Sequence, residues 1–327
     1  MNANEATLRN IVENRKVALR LVNGSLFLPR LRRGGRRTMT TAMALITALL
    51  AGTTTPAVMK TGEQLPLLKD NNFVYAHHHL NVASIPEAKK FWVDTLGGTP
   101  VTAGVLEMVK FPNVIIVFSQ RAATGGSKGT TVNHVGFHVP SVRKIIDKVK
   151  AAGYPIVTRD ELPSSQAVTD GVAFVEATKS NIGYTMVEQT KIEFVENPSQ
   201  TVPLTNHHVH FATDKIEAMR DWYVKTFGAK PGMRGSFQAA DVPGVNLTFG
   251  GTTEPVVGTR GRSLDHIGFE VKNLEAYCKQ LEAQGIKFDR PYTYIPQIGF
   301  AIAFLTDPFG TYIELTEGMD NPKPPSK

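Results

Sequence analysis

The stretch Phe73 to Val82, FVYAHHHLNV, sets His77, His78 and His79 side by side in what reads as an apolar strand. An imidazole titrates near neutral pH and, when neutral, ligates metals. Adjacency alone decides nothing; a fixed register elsewhere in the chain does. His77 stands fourteen residues before Phe91, and His208, in TNHHVHFAT, stands fourteen before Trp222. His134 in VNHVGFHV and His266 in LDHIGFEV hold equivalent places, and Glu188 in YTMVEQ and Glu314 in TYIELTE close the last strand of each half. These three pairs are separated by 131, 132 and 126 residues. Histidine and glutamate returning in one register are candidate ligands for a divalent cation. Side chains alternate along a strand. His77 and His79 therefore share a face, as do His208 and His210, and His78 points away. His79, His210 and His138 read as supporting polar residues.

The elements that must position these groups form a repeat. AHHHLNVASIPEAKKFWVDTLGGTP at 76–100 reads as a strand, a cap and a helix, and HHVHFATDKIEAMRDWYVKTFGAKP at 207–231 is its companion. Capping boxes are expected at Ser84 with Glu87 and at Asp214 with Glu217, and glycine stops at Gly97 and Gly228. The segments 132–157 and 264–288 form a second strand–helix pair. Short β-rich runs follow each helix: NVIIVFSQ, VAFVEATKSNIGYTMVEQ, VNLTFGG and FAIAFLTDPFGTYIELTE. Each unit is one strand, one helix and about three strands. The expected fold class is α+β, with four βαβββ units in two tandem domains, 72–190 and 203–317, and a tail at 318–327.

Charge separates this body from what precedes it. Of the 36 Lys/Arg and 29 Asp/Glu, ten and two fall within residues 1–60, leaving 26 against 27 in the remainder. The body is neutral, so its field offers nothing to a phosphate backbone and nucleic acid is not an expected partner. Residues 1–60 run from the basic block Arg30–Arg37 into AMALITALLAG and the small residues around Ala57. That is the order of a secretory signal, cleaved near Ala57 for a periplasmic or extracellular location; an uncleaved leader would be the only membrane contact. The single cysteine, Cys278, excludes an intramolecular disulfide and a thiolate cluster.

The βαβββ repeat, its strand-one histidines, and DHIGFEV with FLTDPFGTYIELTE resemble the vicinal oxygen chelate superfamily. That family holds glyoxalase I, extradiol dioxygenases and bleomycin resistance proteins. The resemblance covers about residues 72–317. It implies two units paired into a curved, partly open sheet that cups Fe(II), Mn(II), Zn(II) or Ni(II). By that resemblance His208, His266 and Glu314 ligate in the C-terminal half, and His77, His134 and Glu188 in the N-terminal half. Two imidazoles and a carboxylate on one face of a metal leave positions open for substrate and for water or O₂. The implied activity is that of a glyoxalase-like lyase or isomerase on a small oxygenated substrate, with Glu314 both ligand and proton shuttle. A ring-cleaving dioxygenase is one alternative; against it, Phe304 stands where such enzymes carry a tyrosine. A metal-free binder of small molecules is the other. The C-terminal half is expected to do the chemistry, in a monomer or homodimer, with Arg290, Tyr292 and Tyr294 at the substrate mouth.

Overall fold

The computed structural model describes residues 57–58, 65–157 and 182–321. A two-residue strand, β1 (Ala57–Val58), precedes four repeating units. The first is β2 (Phe73–Val82), a helix that is α over Ile85–Lys89 and π over Lys90–Thr95, β3 (Thr99–Ala103), β4 (Leu106–Phe111) and β5 (Val114–Gln120). The second is β6 (Val132–Val139), the helix Val142–Ala151, β7 (Ile156–Val157), β8 (Ile182–Val187) and β9 (Thr190–Glu196). The third is β10 (Thr205–Thr213), the helix Ile216–Phe227, β11 (Lys230–Arg234), β12 (Phe237–Val242) and β13 (Val245–Gly251). The fourth is β14 (Leu264–Val271), the helix Leu274–Ala283, β15 (Phe288–Ile295), β16 (Phe300–Thr306) and β17 (Tyr312–Glu317).

Ser84 caps its helix as expected, its hydroxyl accepting from the Glu87 amide at 3.4 Å. The box at Asp214 does not form. Lys215 takes the cap position there, and the Thr213 hydroxyl accepts its amide at 3.0 Å. Gly228 ends that helix at φ 67°, a left-handed conformation that glycine adopts without a Cβ penalty.

In every unit the first strand runs parallel to the last: β2 with β5, β6 with β9, β10 with β13, β14 with β17. The first strand thus keeps one free edge, and two units join by pairing those edges antiparallel. The pairing does not follow the two halves of the chain. β2 joins β14 in a nine-stranded sheet, β1-β3-β4-β5-β2-β14-β17-β16-β15. β10 joins β6 in an eight-stranded sheet, β11-β12-β13-β10-β6-β9-β8-β7. The outer sheet therefore takes the first and fourth units and the inner sheet the second and third, so each sheet draws one unit from each of the spans 72–190 and 203–317.

Alternation cannot choose among four similar edges; the connectors can. β9 and β10 lie antiparallel on either side of β6, so residues 197–204 need only step over one strand. Residues 121–131 and 252–263 instead cross between the sheets, side by side. Thr130 bridges Val257, and the Thr124 amide donates to the Gly261 carbonyl at 2.8 Å.

One apolar core runs from sheet to sheet, with Trp92, Phe137, Phe211, Tyr223, Phe249 and Phe269 among its fully buried side chains. His78 belongs to this face. It points away from His77 and His79, donates from Nε2 to Asn206 Oδ1 (3.0 Å) and accepts at Nδ1 from Tyr75 Oη (2.6 Å), and so ties the two sheets. The expected tail also begins inside the fold: Met319 and Asp320 are buried, and Asp320 pairs with Lys110 at 3.3 Å. The leader lies outside the described residues except for β1, which pairs parallel with β3. Among the described residues no helix is long and apolar enough to cross a membrane.

Candidate metal centres

All nine histidines of the chain lie on the four first strands, β2, β6, β10 and β14. Edge pairing of those strands therefore gathers imidazoles at the seam of each sheet.

At the outer seam, Glu314 Oε2 lies 3.0 Å from His77 Nε2 and 2.9 Å from His266 Nε2. His79 adds a fourth ligand atom, all four lying within 4.8 Å of one another. The His266 ring is set by Asp265, whose Oδ1 is 2.7 Å from Nδ1 and whose Oδ2 accepts from Asn81 and the Gly261 amide. Asp265 is the extra residue of a β-bulge, since Leu264 pairs with Leu80 and His266 already with His79.

At the inner seam, Glu193 Oε2 lies 2.7 Å from His134 Nε2 and 3.5 Å from His208 Nε2, and the two Nε2 atoms are 3.3 Å apart. His210 stacks on His134 at 4.5 Å. Asn133, again a bulge residue, holds His134 Nδ1 at 2.8 Å. A second bulge, between Asn206 and His208, turns His207 onto the same side, where its Nδ1 meets His208 Nδ1 at 3.0 Å. Arg234 reaches Glu193 Oε1 at 3.3 Å.

Both sets fit a divalent metal. A ligand distance of about 2.1 Å implies ligand–ligand separations of about 3.0–3.4 Å, close to those at both seams. His77 Nδ1, His79 Nδ1 and His210 Nδ1 are buried with no protein partner. Each seam also spends a glycine on ring space. A Cβ at Gly268 would fall 1.8 Å from His77 Cε1, and one at Gly136 1.9 Å from His208 Cε1.

Protonation is suited to ligation as well. Burial raises the Glu314 carboxyl, but hydrogen bonds from His266 and His77 outweigh it and hold the group well below the usual range. Glu193 behaves alike: burial raises it, and the charge of His208 with the hydrogen bond from His134 lowers it further. Burial depresses His208 to about 4 and also lowers His77, His134 and His210. His266 alone rises: burial lowers it, but its bonds to Asp265 and Glu314 prevail. An ionised carboxylate beside mostly neutral imidazoles is the state a cation requires.

The seams differ in what lies in front of them. At the outer one, Val101, Met108, Ile115, Val117, Phe300 and Ile302 pack into a buried cluster on the ligand side. The turn at 296–299 closes over it so tightly that a Cβ on Gly104 would fall 1.8 Å from the Gln297 carbonyl oxygen. The inner seam opens into a cavity of about 760 Å³ lined by His134, His207, His210, Glu193, Tyr184 and Arg234 among others. The repeat explains the contrast. The residues 131 positions after Val101, Met108, Ile115 and Val117 are Gly232, Ala239, Asn246 and Thr248, so the inner sheet lacks the apolar plug.

Three expectations are corrected. The groups His208–His266–Glu314 and His77–His134–Glu188 do not assemble: His77 joins His266 and Glu314, and His208 joins His134. Glu188 is not in a cluster. It occupies the tight turn from β8 to β9 at φ 46°, beside Leu80, Ala88 and Trp92, where burial raises its carboxyl. Its place is held by Glu193, opposite Gly136 as Glu314 is opposite Gly268. Third, the concavity before Glu314 is filled, and Arg290, Tyr292 and Tyr294 lie on β15 at the edge of that sheet, away from the open cavity.

Sequence reasoning missed Glu193, Arg234, Tyr184 and His207. For Glu193 the signal was present, because T-K-I-E-F-V-E at 190–196 matches T-Y-I-E-L-T-E at 311–317. Tyr184 pairs with Glu193 as Phe304 pairs with Glu314, so the inner seam has a tyrosine where the outer has phenylalanine. Arg234 departs from the repeat, its counterpart being Ala103, and His207 depends on a bulge.

Residues 205–315 match the model of the Glyoxalase/Bleomycin resistance protein/Dioxygenase superfamily. That span covers the third and fourth units, which here belong to different sheets. Among solved structures, glyoxalase I from Zea mays is similar at 15% identity and a TM-score of 0.57, over 76% of this chain and 93% of that one. A putative dioxygenase from Bacillus subtilis gives 14% identity and 0.55, over 76% and 86%. These likenesses are of fold. No curated protein matches the chain.

Proposed function

We propose that this chain, a member of the Glyoxalase/Bleomycin resistance protein/Dioxygenase superfamily by its domain at residues 205–315, is a divalent-metal-dependent enzyme whose working centre is the inner seam. The single observation that carries this reading is the cavity of about 760 Å³ standing before His134, His208 and Glu193, while the outer seam is packed shut. The favoured activity is that of a glyoxalase-like lyase or isomerase acting on a small substrate with adjacent oxygens.

His134 Nε2, His208 Nε2 and Glu193 Oε2 would hold the ion, with His210 at hand. When bound, it would polarise the substrate oxygens and stabilise negative charge developing on them. The protein's own work is orientation and proton handling. Asn133 and His207 fix the Nδ1 sides of His134 and His208, so that both Nε2 atoms face the cation. Glu193 is the one carboxylate among the described lining residues, which makes it the group placed to accept a proton from a bound carbon acid. Arg234 steadies its other oxygen.

A second reading, ring cleavage, gains support from Tyr184. A phenol lines the inner cavity where Phe304 at the outer seam could donate no hydrogen bond. We also propose that the leader directs export to the periplasm or beyond, and N-terminal sequencing of the native protein tests this by the new terminus near Val58.

The deciding experiment loads the protein with Fe(II), Mn(II), Zn(II) or Ni(II). It then compares hemithioacetal isomerisation with catechol-dependent O₂ uptake in wild type, Glu193→Gln and Glu314→Gln. Activity lost in Glu193→Gln and retained in Glu314→Gln is expected. The reverse pattern would move the working centre to the outer seam.

A further inference from the structure

The outer seam holds more than two imidazoles and a carboxylate. His79, two residues along β2 from His77 and on the same face, brings a third imidazole to His77, His266 and Glu314. Its Nε2 meets Ser119 Oγ at 2.7 Å, and its Nδ1 is buried with no partner among the described residues. A serine hydroxyl can accept the Nε2 proton, which leaves the ring's lone pair on Nδ1. The two nitrogens of an imidazole face nearly opposite ways. Ser119 lies on β5, and β5 and β14 flank β2 on opposite sides, so Nδ1 is turned back toward the seam.

The inner seam lacks this device. The counterpart of His79 is His210, and the place of Ser119 is taken by Gly250, which has no side chain to offer. The His210 ring uses the space so gained: a Cβ on Gly250 would fall 2.5 Å from its Nε2. That ring stands at the open cavity. At the outer seam the apolar cluster and the turn at 296–299 cover the ligands, and His77, His266 and Glu314 are at most 5% exposed.

We infer that the outer seam is a closed four-ligand centre for a structural Zn(II), with His79 Nδ1 as the fourth ligand and Ser119 as the residue that positions it. Four protein ligands around a cation with no geometric demand of its own is the pattern of structural zinc, whereas catalytic sites keep a position open. β2 supplies two of the ligands and β14 and β17 one each, so the ion ties the first unit to the fourth across 237 residues of sequence. A metal clip between such distant points removes freedom from the unfolded chain and so favours the folded one. This assignment does not depend on what the inner seam catalyses.

The test uses the full chain with its inner seam emptied by His134→Ala and Glu193→Gln, so that one site remains. Co(II) titrated into this variant should give the intense visible bands of a four-coordinate ion, and added azide should leave them unchanged. Zn(II) bound there should raise the melting temperature. In the same background Ser119→Ala should weaken zinc by about 10–100-fold, as expected of an outer partner, and His79→Ala should weaken it further. Ser119→Thr should restore the affinity. His79→Ala should also remove most of the rise in melting temperature that zinc brings, a difference that lost packing alone would not produce. Where His79→Ala does not fold, the pair Ser119→Ala and Ser119→Thr decides. If the emptied variant itself does not fold, a chelator is used on the wild-type chain, where one zinc should leave quickly and a second slowly. Ser119→Ala should then hasten the slow phase. No cobalt bound in the emptied variant, bands shifted by azide, zinc affinity unchanged by these substitutions, or a single release phase in wild type would each overturn the inference.

Discussion

Glu193 and Glu314 are the same residue of the repeat in two settings, and the difference between them is what lies in front. Glu193→Gln should lower metal affinity at the inner seam by about 100-fold or more, because the amide cannot supply the charge. Replacing His207 with alanine leaves all three ligands in place and removes only the partner of His208 Nδ1. A loss of about 10–100-fold is expected for such an outer partner, read by competition with a chelator. Glu270 offers a test by pH. Burial raises its carboxyl to about 7, although Thr316 and the Gly318 amide both donate to it. A raised acid stabilises the fold below its unfolded value near 4.5 and loses that contribution as pH climbs through about 7. Glu270→Gln should therefore melt higher than wild type at pH 8, by the equivalent of about 1–3 kcal/mol, and converge with it near pH 5. Parallel melting curves from pH 5 to 8 would show that Glu270 does not titrate there. His208, depressed to about 4, works in the opposite sense, costing stability as pH falls from about 6.5 toward 4.

At the scale of elements, the ligands are aimed by strand pairing, bulges and missing side chains. Gly136→Ala places a Cβ 1.9 Å from the His208 ring. It should expel that ring and abolish inner-seam metal binding while the outer seam keeps its own, which a Co(II) titration would show as one site lost. This scale also separates what was legible in the sequence from what was not. The four strand–helix starts could be read because helix caps, glycine stops and period-two strands are local signals. His77, His134, His208 and His266 each stand on a first strand for that reason. The last strand of the second unit is TKIEFVE, which repeats the fourth unit's ending, and the strand ending at YTMVEQ lies one hairpin earlier. The bulges that turn Asn133, His207 and Asp265 toward their neighbours have no local signature, since a bulge is a mismatch between two strands distant in sequence. Partner choice among the four first strands was illegible for a similar reason. The edges are alike, and the selection is made by connectors.

For the whole molecule, the pairing of first with fourth and second with third units means that neither half of the chain contains a complete sheet. A fragment ending near residue 200 would expose the free edges of β2 and β6, and unpaired edges of that length recruit other chains. Such a fragment is expected to dimerise or aggregate, and mixing it with the fragment from 201 onward should recover metal binding. Size-exclusion chromatography of each piece and of the mixture checks this. A stable monomeric fragment 203–321 with a bound metal would contradict the arrangement.

The two sheets are nested in the chain like one pair of brackets inside another. The strands of the inner sheet have all left the ribosome once β13 is made, whereas β2 must wait for β14, which begins 191 residues after it. Contacts of long sequence separation form slowly, and domains fold as they emerge. The open cavity can thus be finished while the outer sheet still lacks four of its nine strands. The packed outer seam, sealed last by residues from both ends of the described fold, then acts as the clasp of the finished molecule.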